Sequence, residues 1–310
     1  MPDLAALAQT LTSRSAIHAE DVLALRRLIW SDGTVSTEEA EAILALNSAC
    51  ALRSPEWIDY FVEVIIDYVV HQQAPADYVD AAKAGWLMGQ IDRDGRVDTR
   101  SELELLVRIL EVATSVPPSL KAYALAQVEQ AVMTGTGPTR QGSALDATRI
   151  NEVEVDLLRR MIFAQAGDGA YVVSAAEAEM LFRLKDATLG ADNAPAWSDL
   201  FVKGVGNHLM AHRNYDTLSR DDQLRMDAFA VDTHVSVAGF FGRMLGGAKP
   251  ALSPAVRAIP QEMTNSAAAA ADQAMSPAET RWVVEHIRAD GKYDRLEKAL
   301  VDFIRVESAA

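Results

Sequence analysis

Apolar residues recur at helical spacing along most of the chain, and the runs break at one short phrase written four times. From Ala19 to Trp30, Val22, Leu25, Leu28 and Ile29 fall on one face, which predicts a helix. Thr37 to about Ala49 repeats the pattern with Ala40, Ile43, Leu44 and Leu46 inward. Pro55 opens a long helix through Trp57, Phe61, Ile65 and Tyr68, and after Pro75 another carries Tyr78, Ala82, Trp86 and Leu87. Leu103, Leu106, Ile109 and Leu110 define the next, which Pro117-Pro118 stops, and a further helix spans roughly Ser119 to Met133. Alternating β-branched runs are scarce, so the expectation is an all-α fold.

The repeated phrase begins at Asp32-Gly33, Asp94-Gly95, Asp168-Gly169 and Asp290-Gly291. A glycine after an apolar run ends a helix, because positive φ costs it nothing. The next helix starts from a capping box, in which a small polar side chain takes an orphan N–H and a glutamate reaches back. Ser36 with Glu39, Ser174 with Glu177 and Asp294 with Glu297 fit this box. In the second phrase the spacing puts Asp98 at the cap and Ser101 in the glutamate's place, a weaker box. Each phrase is thus a helix–turn–helix junction, with Val35, Val97, Val173 or Tyr293 as its apolar tuck.

The two halves echo one another. Leu158 to Phe163 repeats Leu25 to Trp30, Val173 to Glu179 repeats Val35 to Glu41, and Pro195 to Val202 repeats Pro55 to Val62. The order is kept, which reads as an internal duplication. The Gly- and Pro-containing stretch 134–148 reads as a linker between a first helical domain, 1–133, and a second, 149–310. Gly33 and Gly95 stand 62 residues apart but Gly169 and Gly291 stand 122 apart, so the second half carries about sixty extra residues, near 214–275. An insert that leaves its host repeat intact emerges from a surface loop.

Composition narrows the function. A formal net charge of −15 argues against nucleic acid, which needs excess Lys and Arg to meet its phosphates. The single cysteine, Cys50, excludes a disulfide framework and reads as a small buried residue. The start Met1-Pro2-Asp3-Leu4 lacks the basic and apolar regions of a signal peptide, and Glu63 and Asp67 interrupt the most apolar run. A cytoplasmic protein without a transmembrane segment is expected.

Helices joined through Asp-Gly-x-Val-Ser-x-x-Glu resemble the tellurite-resistance TerB-like family, over both halves apart from the insert. The resemblance implies an all-helical fold, acidic turns that hold a divalent cation, and roles in stress-related or membrane-associated complexes rather than catalysis. By position, it points to Asp32 and Glu39, Asp94 and Asp98, Asp168 and Glu177, and Asp290 and Asp294 as the acidic candidates. Two departures are Ser101 where glutamate is expected and the lengthened third turn, Gly167-Asp168-Gly169.

Read for chemistry, Asp92-Arg93-Asp94-Gly95 looks like the middle of a calcium loop, which needs oxygens at positions one, three, five and twelve when the glycine is six. Those positions hold Gln90, Asp92, Asp94 and Ser101, without the bidentate glutamate; in the first phrase they hold Leu28, Trp30, Asp32 and Glu39. None is a regular EF-hand. Asp92, Asp94 and Asp98 form the best calcium or magnesium candidate, against the plain reading of all these acids as helix caps. His208 and His212 share a helix face, with His234 or Asp216 as a third ligand. Leu209 stands where a zinc protease needs glutamate, and two solvated or core-edge histidines are the plainer reading.

In the insert, Phe240, Phe241, Met244 and Leu245 make a stripe that seeks a partner, a membrane surface or a second copy of the chain, or folds back on its own domain. No phosphate loop or nucleophile elbow is written in the chain. The expectation is a non-enzymatic helical interaction or stress-response module. Its protein partner would meet the insert or an acidic face, and a metal-dependent enzyme using the acidic turns or His208/His212 is the competing class.

Overall fold

The computed structural model describes residues 2–92, 97–140, 149–166, 172–211, 277–289 and 291–307. Asp94, Asp168, Asp290, His212, Asp216, His234, the insert with Phe240, Phe241, Met244 and Leu245, and linker residues 141–148 lie outside the described residues. The fold is all-α, and the described chain divides into two units, Met1–Ala147 with Ala164–Ala170, and Thr148–Phe163 with Tyr171–Ala310.

Unit 1 holds α1 (Pro2–Arg14), α2 (Ala19–Ile29), α3 (Thr37–Ala49), α4 (Pro55–Ile66), α5 (Ala81–Ile91), α6 (Arg100–Val112) and α7 (Pro118–Thr134). Helix α4 is central and packs on α2, α3 and α6, because Trp57, Tyr60, Phe61, Val64 and Ile65 give it apolar residues on several faces, all wholly buried. Two elements are additional to the expected set. Helix α1 buries Leu4 and Leu11 and packs on α2 and α3. Strands β1 (Ala16–Ile17) and β2 (Leu52–Arg53) pair in parallel, lacing the entry of α2 to the entry of α4.

Helix α4 runs on into a π-helical segment, Asp67–Gln72. The helix expected after Pro75 starts only at Ala81. Asp80 caps it, accepting from the Lys83 N–H at 2.9 Å, and the Lys83 ammonium gathers the carbonyls of Gln73, Pro75 and Tyr78 at 2.7 Å each. The intervening backbone is thereby held as a loop.

Unit 2 contains α8 (Glu152–Ile162), α9 (Ala175–Ala187), α10 (Ala196–Ala211), α11 (Pro277–Arg288) and α12 (Arg295–Glu307). Helix α10 packs on α8, α9 and α12, the same set of partners by position that α4 takes in unit 1. Trp57 of α4 and Trp197 of α10 are both fully buried. Trp30, Trp86 and Trp282, by contrast, are half-buried. Trp30 sits at the C-terminal cap of α2, where it lines an open groove.

The junction glycines behave as expected where described: Gly33 has φ 83° and Gly291 φ 69°. The second junction corrects the sequence reading. The N-cap of α6 is Thr99, not Asp98, and its partner is Glu102, not Ser101. Thr99 Oγ1 accepts from the Glu102 N–H at 3.2 Å, and Glu102 Oε2 accepts from the Thr99 N–H at 3.0 Å. One extra residue between Val97 and the cap shifts the register, and the box is complete.

Candidate functional site

The acidic turn residues are placed one by one, and most are committed to backbone. Asp32 accepts from the Thr34 N–H at 3.1 Å and from its hydroxyl at 3.2 Å, closing its own turn. Glu39 and Glu177 are buried, and each accepts from its cap residue's N–H at 2.8 Å. Asp294 takes the Leu296 and Glu297 N–H groups at 2.7 and 3.0 Å while its other oxygen meets Lys185. Asp92 is the C-cap of α5, and Asp98 is exposed beside Thr99. Among the described residues no three His, Cys, Asp or Glu side chains gather as a metal-ligating group.

His208 is half-buried on α10. Its Nδ1 lies 2.9 Å from the Val173 carbonyl, and its ring meets Trp282 edge-on at 5.2 Å. The Val173 N–H is held by Asn207 Oδ1 at 2.8 Å. Consecutive α10 residues therefore clamp the apolar residue of the third junction. His286 lies on the other helix of this cluster, with its ring 4.2 Å from Trp282.

Beneath the junctions, a buried polar contact joins α3 to α6 in unit 1. Asn47 Nδ2 donates to Thr99 Oγ1 and to Glu102 Oε1, each at 3.0 Å, and Asn47 Oδ1 accepts from Ser101 Oγ at 2.6 Å and from Trp57 Nε1 at 3.0 Å. Counting from the caps of α9 and α12, Lys185 stands where Asn47 does, and Asp294 and Glu297 stand where Thr99 and Glu102 do. The Lys185 ammonium lies 2.8 Å from Asp294, 2.6 Å from Glu297 and 2.8 Å from Asp186.

The described surface opens in a groove of unit 1, a cavity of about 590 Å3. Trp30, Val62, Ile66 and Val112 supply its apolar lining, and Asp59, Glu63, Asp67 and Glu104 its carboxylates, against Arg108 and His71. The acids Asp59, Glu63 and Asp67 follow at four-residue spacing and so share one side of α4, and Glu104 and Arg108 do the same on α6. Glu63 pairs with Arg26, one arm at 3.0 Å, and the Arg26 guanidinium lies 5.2 Å from the centre of the Trp30 ring. Arg108 meets Glu111 at 2.6 Å.

Asp67 ties the groove to the first junction. It accepts from Trp30 Nε1 at 3.1 Å and from Gln72 Nε2 at 2.6 Å, and Gln72 Oε1 in turn accepts from the Val35 N–H at 2.9 Å. The π-helical segment makes this bridge, since its wider turn sets both Asp67 and Gln72 toward α2.

Sequence reading found the turn acids and missed the groove. Its signal was present as the acid stripe on α4, but a stripe on one helix does not say which other helix faces it. No family model, curated protein or solved structure matches the chain. No helix among the described residues is long and apolar enough to cross a membrane.

Proposed function

We propose that the chain is a non-catalytic helical interaction module, a tandem TerB-like protein built by internal duplication. In this reading, unit 1 receives a cationic amphipathic helix of a protein partner in the groove between α4 and α6. The observation that carries the reading is charge complementarity over an apolar floor: four carboxylates, of which Glu63 is paired with Arg26, stand against Arg108 and His71 in a cleft based on Trp30, Val62, Ile66 and Val112. A helix laid in a groove places apolar anchors at i, i+3, i+4 and i+7 into such a floor and leaves its basic residues to the rim. The volume lies within the range of roughly 300–1,000 Å3 that suits specific ligand sites. The duplication is supported by the matching partners of α4 and α10 and by the Ser36–Glu39 and Ser174–Glu177 caps.

The test uses a fluorescein-labelled synthetic peptide with Leu and Lys at amphipathic helical spacing, and a second peptide with every Lys replaced by Glu. Anisotropy titration of the full chain gives saturable binding of the Lys peptide, weakened by salt as screening of rim charges requires. The double variant Asp59→Asn/Glu104→Gln weakens it by about 2–30-fold, at roughly 0.2–1 kcal/mol for each ion pair. Equal binding of the Lys and Glu peptides, or none of either, refutes the reading.

A further inference from the structure

Unit 2 offers the same helix pair, yet its residues treat the space differently. Counting from Trp57 and Trp197, the α4 positions Asp59, Glu63, Ile66 and Asp67 are taken in α10 by Asp199, Lys203, Gly206 and Asn207. Counting from the caps of α6 and α12, Glu104 and Arg108 are replaced by Ala299 and Phe303. Across these six positions unit 1 carries four carboxylates and one arginine, whereas unit 2 carries one carboxylate and one lysine.

Those two charges cancel one another. Lys203 Nζ lies 2.5 Å from Asp199 Oδ2, and the lysine side chain is only 2% exposed. Gly206 removes the side chain that Ile66 provides in unit 1, and the ring of Phe303 fills the space; a Cβ at Gly206 would overlap that ring. Phe303 is itself buried. The pairing is reciprocal, since a ring at this position of α12 requires glycine on α10. In unit 1 the two positions hold Arg108 on α6 and Ile66 on α4, and both line the open groove.

We infer that the α4–α6 face of unit 1 receives this helix and the matching α10–α12 face of unit 2 does not, with Phe303 a built-in plug that closes it. This inference rests on the groove reading and adds stoichiometry and a specificity-determining position: Arg108 keeps the groove open where Phe303 shuts it. Asn207, relieved of the groove role of Asp67, bonds the Val173 N–H instead.

Isothermal titration of the full chain with the Leu/Lys peptide tests this, with circular dichroism and a melt confirming that each variant is folded. The expected result is one site per chain, weakened about 2–30-fold by Asp59→Asn/Glu104→Gln, for the two rim ion pairs it removes. Ile66→Gly/Arg108→Phe, which installs both the plug's ring and the glycine that admits it, is expected to weaken the same site at least tenfold. Two sites in the wild-type chain, or one site that either variant leaves at full affinity, overturn the assignment to unit 1 while binding itself stands. Absence of binding by the wild-type chain overturns the groove reading and this inference together. If Ile66→Gly/Arg108→Phe fails to fold, the wild-type stoichiometry and the rim variant decide the matter.

Discussion

The Lys185 ammonium lies 2.6 Å from the Glu297 carboxylate, and neither side chain has any solvent exposure. Burial opposes the lysine's charge, but the hydrogen bonds it donates to Asp186, Asp294 and Glu297 outweigh it and hold its pKa above the ordinary value. Lys185→Met leaves two buried carboxylates without a counter-charge, which costs about 3–5 kcal/mol. Thermal or urea unfolding of the full chain measures it. A loss under about 1 kcal/mol would show that Glu297 is held neutral and the triad contributes little.

In unit 1 the matching carboxylate faces an amide. Burial pushes the Glu102 carboxyl up, and bonds from Thr99 and Asn47 with the charge of Arg53 pull it back only in part. A folded-state value above the unfolded one stabilises fully below the ordinary 4.5 and is lost as pH rises through the raised folded value. Wild-type stability is therefore expected to fall relative to Glu102→Gln as pH rises from below 4.5 to neutral. A difference independent of pH would overturn this.

The corrected register of α6 has a direct test. Thr99→Ala removes the cap of a buried box and costs about 1–2 kcal/mol. Asp98→Ala, one residue earlier and exposed, stays within about 0.5 kcal/mol. Reversed magnitudes in chemical denaturation would restore Asp98 as the cap.

Two buried tryptophans at matching positions differ in one hydrogen bond. Trp57 Nε1 donates to Asn47, whereas Trp197 Nε1 finds no acceptor among the described residues, because Lys185 has only donors where Asn47 has an oxygen. Trp57→Phe is expected to cost about 1 kcal/mol more than Trp197→Phe, the net worth of one such bond. Equal melting shifts for the two variants would remove this distinction.

Metal addition separates caps from ligands. With Glu39, Glu177 and Asp294 engaged by backbone N–H groups, calcium or magnesium added after EDTA is expected to leave the melting temperature unchanged. A native-state ligand at a hundredfold excess over its Kd would add about 2.7 kcal/mol. A rise abolished by Asp92→Ala or Asp94→Ala would make the second turn a cation site.

The helices were legible because their signals are local. Apolar spacing marks α2, α3, α4 and α6, and the box Ser36-x-x-Glu39 forms as written, since a cap needs only four consecutive residues. The same locality explains the error at α6: Asp98 and Thr99 are both good caps, and burial of Thr99 against Asn47, a residue on another helix, selects between them. Helix α1, which buries Leu4 and Leu11, is held by its packing on α2 and α3.

The sequence by itself determined the helical class, the junctions at Gly33 and Gly291, and the acid stripe on α4, because each depends on residues near one another in the chain. Only the tertiary structure decided that Asp59, Glu63 and Asp67 face Glu104 and Arg108 across an open groove, while Phe303 closes over Gly206. Those relations join helices dozens of residues apart. Their outcome turns on side-chain volume and desolvation at the contact, quantities that no single helix encodes.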